Sequence, residues 1–286
     1  RRAVVLLCAL GVALALLVSG YFSLQVVHYD AFLEQANSNR VKLRPTMPAR
    51  GLIQDRNGQL LADNVSAFRL DLIPEQVKDI EATLAGLGAV IELSADDLRR
   101  FKRAYDPSRR FGPVTVKLRL SEEDVARFSV HRFRFPGVEV EPYLTRRYPY
   151  GPEFAHVVGY VARMDQADLK ALDDERYAVM TQTGKTGIER SYEDSLRGTI
   201  GYEEVETNAR GRSLGVLKRH ISRAGTDLRL SLDAGLQKAT IEAFGELTGS
   251  AVAVDPMTGQ ILAMVSLPSF DTNLFVNGIS TVDYKA

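Results

Sequence analysis

The sequence predicts an α+β fold behind a single N-terminal transmembrane helix, on three observations. Residues 3–27 carry no charged side chain. Beyond them, stretches with an apolar residue at every second position are interspersed with stretches of helical spacing. Helix-start signals, an Asp or Ser three residues before an Asp, recur at Ser94/Asp97, Ser121/Asp124 and Asp165/Asp168.

The apolar run has 25 residues. As a helix it reaches ~37 Å, enough for a hydrocarbon core of ~30 Å. Arg1 and Arg2 precede it and the next basic residue is Arg40, so the positive-inside rule puts the N-terminus in the cytoplasm and the rest outside. The run continues past the small pair Ser19-Gly20 through Phe22, Leu24 and Val27, which favours an uncleaved signal-anchor over a cleaved signal peptide. His28 to Asn39 reads as a helical continuation that Pro45 and Pro48 end.

Apolar pairs then flank Asp55-Arg56-Asn57-Gly58, and Asn-Gly is a strong hairpin signal because both residues tolerate positive φ. Residues 74–130 read as mainly helical. Pro74 opens a segment with Val77, Ile80, Leu84 and Leu87 on one face. Ser94/Asp97 is a capping box with Leu93 and Leu98 as its staple, and Ser121/Asp124 repeats it with Leu120 and Val125. Between them Val114 to Leu120 alternates as a strand with one buried face. Strands are expected near 137–144 and 202–208, around a helix starting at Asp165. Leu228, Leu230 and Leu232 alternate inward, and Asp233 caps a helix with Leu236, Ala239, Ala243, Phe244 and Leu247 at helical spacing. Gly249 to Val265 reads as two apolar strands joined by a tight turn.

Lys plus Arg and Asp plus Glu both number 36, with a pI near 7.1. That balance argues against a nucleic-acid partner. The pairs Arg99-Arg100, Arg109-Arg110 and Arg146-Arg147 have acids interleaved with them and read as solvated faces. Cys8 is the single cysteine, so no intramolecular disulfide forms.

No local motif assembles a catalytic centre. Gly184-Lys185-Thr186 lacks the upstream glycine of a phosphate loop, because that position is Val179. Lys185-Thr186-Gly187 matches one signature of penicillin-recognising serine enzymes. No Ser in the chain has Lys three residues later, so the tripeptide reads as a turn into a short helix, Ile188–Leu196, ended by Gly198. His28, His131, His156 and His220 stand near no Gly-x-Ser-x-Gly elbow, and no His or Cys cluster has metal-ligand spacing. Asp55 and Arg56 read as turn residues. The sequence assigns no catalytic, cofactor-binding or metal-binding residue.

The order of features resembles the class B penicillin-binding proteins, peptidoglycan D,D-transpeptidases. The resemblance rests on Arg50-Gly-x-Ile-x-Asp-Arg-Asn-Gly-x-x-Leu-Ala62, Phe135-Pro-Gly-Val-Glu-Val140, Arg147-Tyr-Pro-Tyr-Gly151 and His156-Val-Val-Gly-Tyr160. It continues in Gly184-Lys-Thr-Gly-Ile-Glu-Arg190, Gly201 to Arg212, Leu230-Ser-Leu-Asp233 and Ala253 to Asp271. The run from Gly184 to Arg212 is most similar to the elongation-type enzymes that maintain rod shape, with division-type relatives as the alternative.

The resemblance implies an anchor over 1–28 and a mixed α/β elongated pedestal over 29–225 with a helical head at about 69–140. The first strands and helix of a transpeptidase domain would follow over 226–286. It implies serine acyl transfer on stem peptides, inhibited by β-lactams, with a Ser-x-x-Lys expected a few tens of residues past Ala286 and no catalytic residue before it. The implied partners are a SEDS-family glycosyltransferase, other rod-complex scaffold proteins and the lipid bilayer, with the bulk of the chain in the periplasm of the inner membrane. No cofactor is implied. A second reading makes the stretch a membrane-anchored scaffold that activates a partner. Gly11 and Ala15 then offer a small-residue helix face for contact.

Overall fold

The computed structural model describes residues 1–29, 41–107, 110, 112–164, 168, 182–208, 213–276 and 278. It divides into one unit of Arg1–Arg44 with Tyr202–His220 and another of Pro45–Gly201 with Ile221–Ala286. Its elements are mixed α and β, as predicted.

The apolar run forms helix α1, Arg2–Phe22, extended by a π-helical turn at Ser23–Val27. The window Leu10–Val27 has a mean hydropathy of 1.9 and no buried residue, so α1 is long and apolar enough to cross a membrane. The predicted continuation over 28–39 lies almost wholly outside the described residues. Strand β1 spans Val41–Thr46.

Strands β2 (Ile53–Gln54) and β3 (Leu60–Leu72) pair antiparallel across the predicted turn, with Gly58 at φ +85°. Helix α2 covers Ile80–Gly88, later than the predicted start at Pro74. Pro74 opens only a single 3-10 turn, Val77 is extended, and the Asp79 carboxylate accepts the Ala82 N–H to begin the true helix. Helix α3 (Ala95–Ala104), strand β4 (Val114–Leu120) and helix α4 (Glu122–His131) follow, and both predicted capping boxes form. Strand β5 (Val138–Arg147) pairs antiparallel with β3 from Asp63↔Arg147 to Leu72↔Val138.

Alternation along β4 is broken. Its register against β3 slips between Leu70 and Asp71 and again toward Phe68, so Val116 and Leu120 are buried while Leu118 lies outside the core.

Helix α5 (Gly151–Val158) has Pro152 in its first turn and stops at Gly159, whose φ is +75°. Strands β6 (Val161–Arg163) and β7 (Gln182–Gly184) pair antiparallel. The helix expected from Asp165 falls outside the described residues. Two helices, α6 (Gly187–Ser191) and α7 (Glu193–Leu196), replace the expected single helix, because Tyr192 leaves the helical region at φ −112°, ψ 24°.

Strands β8 (Gly201–Thr207) and β9 (Ser213–His220) form a hairpin, and the sheet order is β1-β8-β9. Strand β10 (Leu228–Arg229) joins β2 in parallel. Helix α8 (Ala234–Phe244) is capped by Asp233, and β11 (Gly249–Val254) pairs with β12 (Ile261–Leu267) before the short α9 (Asn273–Val276).

The apolar face predicted for α8 is not the face that packs. Leu236, Ala239, Ala243 and Leu247 are exposed, whereas Ala234 and Gln237 are buried. The Gln237 amide bonds both the N–H and the carbonyl of Met264, each at 2.8 Å, and donates to Glu153 O. A side-chain amide that mimics a strand neighbour pins the helix where an apolar side chain would leave the outer Met264 N–H and carbonyl without these partners.

Two apolar cores result. One gathers Ile53, Leu61, Ala62, Tyr148, Phe154, Val158, Leu196, Leu232 and Ala234, drawing on residues either side of Gly225. The other gathers Leu70, Leu72, Leu87, Phe101, Val116, Phe128 and Phe135. Strand β3 runs through both.

Candidate functional site

The most unusual chemistry of the chain is a knot of buried charge. Arg50 lies just after β1, Arg146 is the next-to-last residue of β5 and Tyr148 follows that strand, and Glu189 and Glu193 lie four residues apart on α6 and α7. Glu189 is fully buried. Its Oε2 accepts from Arg50 Nε at 2.7 Å, and its Oε1 accepts from Arg146 Nε at 2.8 Å and from the Tyr148 hydroxyl at 3.2 Å. Both Arg50 Nη atoms reach Glu193, at 3.2 and 2.6 Å, and Glu193 Oε2 accepts the Gly184 N–H at 2.9 Å. Asn64 closes the ring by donating to Arg50 O at 2.5 Å and accepting from Arg146 Nη1 at 3.2 Å.

Two guanidiniums face two carboxylates, so the knot is neutral as a whole, which is the condition for burying charge at tolerable cost. Burial works against the Arg50 charge, but Glu189 and Glu193 outweigh it and raise its pKa. Burial, reinforced by the Glu189 charge, holds the Tyr148 hydroxyl well above its ordinary pKa, so it stays neutral and bridges Glu189 to the Val161 N–H. Every carboxylate oxygen of the knot is engaged with a donor, and the one hydroxyl in it, Tyr148, is spent bridging Glu189 and the Val161 N–H. The knot joins three stretches of chain around residues 50, 146–148 and 184–193.

A second joint lies nearby in sequence. Gly51 N–H donates to Leu196 O at 2.7 Å, Gly225 N–H to Ala49 O at 2.9 Å, and Leu52 N–H to the Asp227 carboxylate at 2.7 Å. A Cβ on Gly225 would stand 1.8 Å from Leu196 O, and one on Gly51 2.1 Å from Thr226 O, so the backbones cross too closely for any side chain.

Asp55, expected as a turn residue, closes its turn and also reaches further. Its Oδ1 accepts the Asn57 and Gln59 N–H groups at 2.7 and 2.8 Å, and its Oδ2 accepts the Ala234 N–H at 3.1 Å. Asn57 in turn donates to Asp233, whose carboxyl the Leu236 N–H and Asn57 hold below the usual range. The Arg56 carbonyl accepts from Arg229 at 2.5 Å.

The other sequence candidates stay apart. Gly11 and Ala15 are exposed on α1, four residues apart on one face. Lys185 pairs with Asp168, and Gly187 turns at φ +59° against the Val157 carbonyl. His131 bonds the Arg127 carbonyl, His156 the Pro268 carbonyl, and His220 stacks on Tyr202, while His28 bonds Ser23. Among the described residues no group of His, Cys, Asp or Glu is placed to hold a metal ion.

Arg146 corrects the reading of the Arg pairs as solvated faces. It is 5% exposed and central to the knot, while Arg147 beside it stays outside and pairs with Asp63. Arg50, Glu189 and Glu193 were not singled out by sequence, although Arg50 and Glu189 lie within the stretches that carry the resemblance.

Comparison with known proteins then gives the following. Residues 45–230 match the family model described as the penicillin-binding protein dimerisation domain. The chain is 45% identical over 275 residues to the peptidoglycan D,D-transpeptidase MrdA of Acinetobacter baumannii, covering 96% of this chain and 41% of that protein. It is 42% identical over 290 residues to MrdA of Escherichia coli K12, covering 100% and 46%. The chain thus spans less than half the length of these relatives. Among solved structures it is similar to PBP2 of Helicobacter pylori in complex with MreC, with a TM-score of 0.73 at 27% identity over 86% of this chain and 46% of that one.

Proposed function

The chain belongs to the penicillin-binding proteins, and from that premise we propose that it supplies the anchor and pedestal of an elongation-type peptidoglycan D,D-transpeptidase. The observation that carries this reading is the 45% identity to such a transpeptidase over nearly the whole chain. In this reading residues 1–28 anchor the protein in the inner membrane, 29–225 form the pedestal with a head at about 69–140, and 226–286 begin the transpeptidase domain. The two joints, with Asp55 on the Ala234 N–H, hold the segments around residues 50, 146–148, 184–196 and 225–234 in one register within the second unit. The complex of the Helicobacter pylori relative with MreC supports a rod-complex scaffold protein as one partner. A SEDS-family glycosyltransferase in the same membrane is the second.

The test is labelling of the intact gene product with fluorescent penicillin in membranes. We expect a covalently labelled band at the full-length mass that unlabelled β-lactam abolishes. An unlabelled intact protein that is folded by circular dichroism would overturn the transpeptidase reading.

A further inference from the structure

The stretch after β12 falls by sequence in the start of the transpeptidase domain, yet it turns back onto residues of the pedestal. His156 Nε2 lies 3.1 Å from the Pro268 carbonyl, and the Ser269 hydroxyl donates to Pro152 O. The Val276 carbonyl accepts from the Gln182 amide at 2.5 Å, and the Val276 side chain is buried in the first core. Phe275 stacks on Tyr160 with ring centroids 4.4 Å apart, and Phe270 meets His156 and Tyr160 edge-on.

Asn273 makes the most specific of these ties. Its Oδ1 accepts the Tyr148 N–H at 2.9 Å, and its Nδ2 donates to the Tyr148 carbonyl at 3.0 Å. One planar amide thus serves both backbone polar groups of the residue that follows β5, as a strand neighbour would. Nδ2 also donates to Asp271 Oδ1 at 2.8 Å, which fixes which way round the amide lies. A Cβ on Gly151 would stand 2.8 Å from Nδ2, so the glycine gives the amide its space. The Tyr148 hydroxyl meanwhile bridges Glu189 and the Val161 N–H. Tyr148 therefore holds the buried charge knot by its side chain and the stretch 271–276 by its backbone.

We propose that Asn273 is a positioning residue for acyl transfer, a role that deepens and rests on the transpeptidase reading of the intact protein. By clasping Tyr148 it sets the place of the chain leaving α9 relative to the charge knot. The serine that this reading expects past Ala286 takes its placement from that stretch, and a displacement of ~1 Å lowers reaction rates steeply. Asn273→Asp is the discriminating change. It keeps the acceptor for the Tyr148 N–H, but sets an oxygen against both the Tyr148 carbonyl and the Asp271 carboxylate.

The test follows covalent labelling of the intact gene product in membranes over a range of fluorescent penicillin concentrations. Asn273→Asp is expected to lower the saturating rate by roughly 10- to 100-fold, with the half-saturating concentration little changed. Tyr148→Phe keeps both backbone bonds to Asn273 but cuts the tie to Glu189, and its rate should fall in the same direction. Phe128→Ala, in the second core, should lower the denaturation midpoint and leave the rate unchanged. Asn273→Asp that is folded by circular dichroism and labels at the wild-type rate would overturn the inference and leave the transpeptidase reading intact. If Asn273→Asp does not fold, labelling of Tyr148→Phe at the wild-type rate overturns it equally. Rates that simply track the loss of stability across the three variants would overturn it too. Wild-type protein that takes no label would remove the transpeptidase reading and the role of Asn273 with it.

Discussion

Removing the Glu189 carboxylate leaves Arg50 and Arg146 with Glu193 as the one remaining acid of the knot. A buried cation without its partner is costly, so Glu189→Gln is expected to destabilise the protein by about 3–5 kcal/mol. Chemical denaturation in detergent measures it as a lowered midpoint at unchanged slope. Arg147→Ala is the control: its side chain is half exposed and its pair with Asp63 contributes under ~1 kcal/mol. Equal effects from the two variants would mean that the knot is solvated. None of this was legible in sequence, because Glu189 meets Arg50 across 139 residues and Arg146 across 43. Glu189 reads locally as one more helix-face acid, and only its partners make it buried.

The elements whose logic is local were the legible ones. The capping boxes at Ser94 and Ser121 depend on a three-residue spacing and formed as read, while the turn at Asn57-Gly58 formed with positive φ at Gly58 alone and with Asp55 bonding Gln59 across it. Asp124 makes a testable case. Burial works against its ionisation, but the Lys117 ammonium at 2.8 Å and the Ser121 N–H hold its carboxyl below the ordinary value of 3.8. A carboxyl depressed in the folded state contributes stability that is present above its unfolded value and is lost as pH falls through the folded one. Denaturation midpoints are therefore expected to hold steady from about pH 7 to 5 and to fall below about pH 4. Asp124→Asn should lower stability at neutral pH and flatten that fall; an unchanged acid slope would refute the assignment. The helix α8 was legible as a helix but not in its orientation. Periodicity finds an apolar stripe at Leu236, Ala239 and Ala243, yet the Gln237 amide and the unpaired Met264 backbone decide which side packs.

At the scale of the second unit, β3 threads two cores, with Leu61 and Ala62 in one and Leu70 and Leu72 in the other. Phe128→Ala empties a position in the second core that is 1% exposed and should cost about 3–5 kcal/mol. Hydrogen–deuterium exchange should then show faster uptake across 74–131 than across α5 and β6, since the first core keeps its own packing. Equal acceleration in both regions would show one cooperative core. The sequence by itself determined the apolar helix, the capped helices, the Asn-Gly turn, the alternating strands and the family to which their order belongs, because each depends on side chains a few residues apart. Only the tertiary structure decided that Arg146 is buried, that Gly51 and Gly225 admit no side chain, and that α8 packs on Gln237. Those outcomes depend on groups far apart in the chain, and desolvation, steric contact and hydrogen-bond satisfaction act on them only once the chain has folded.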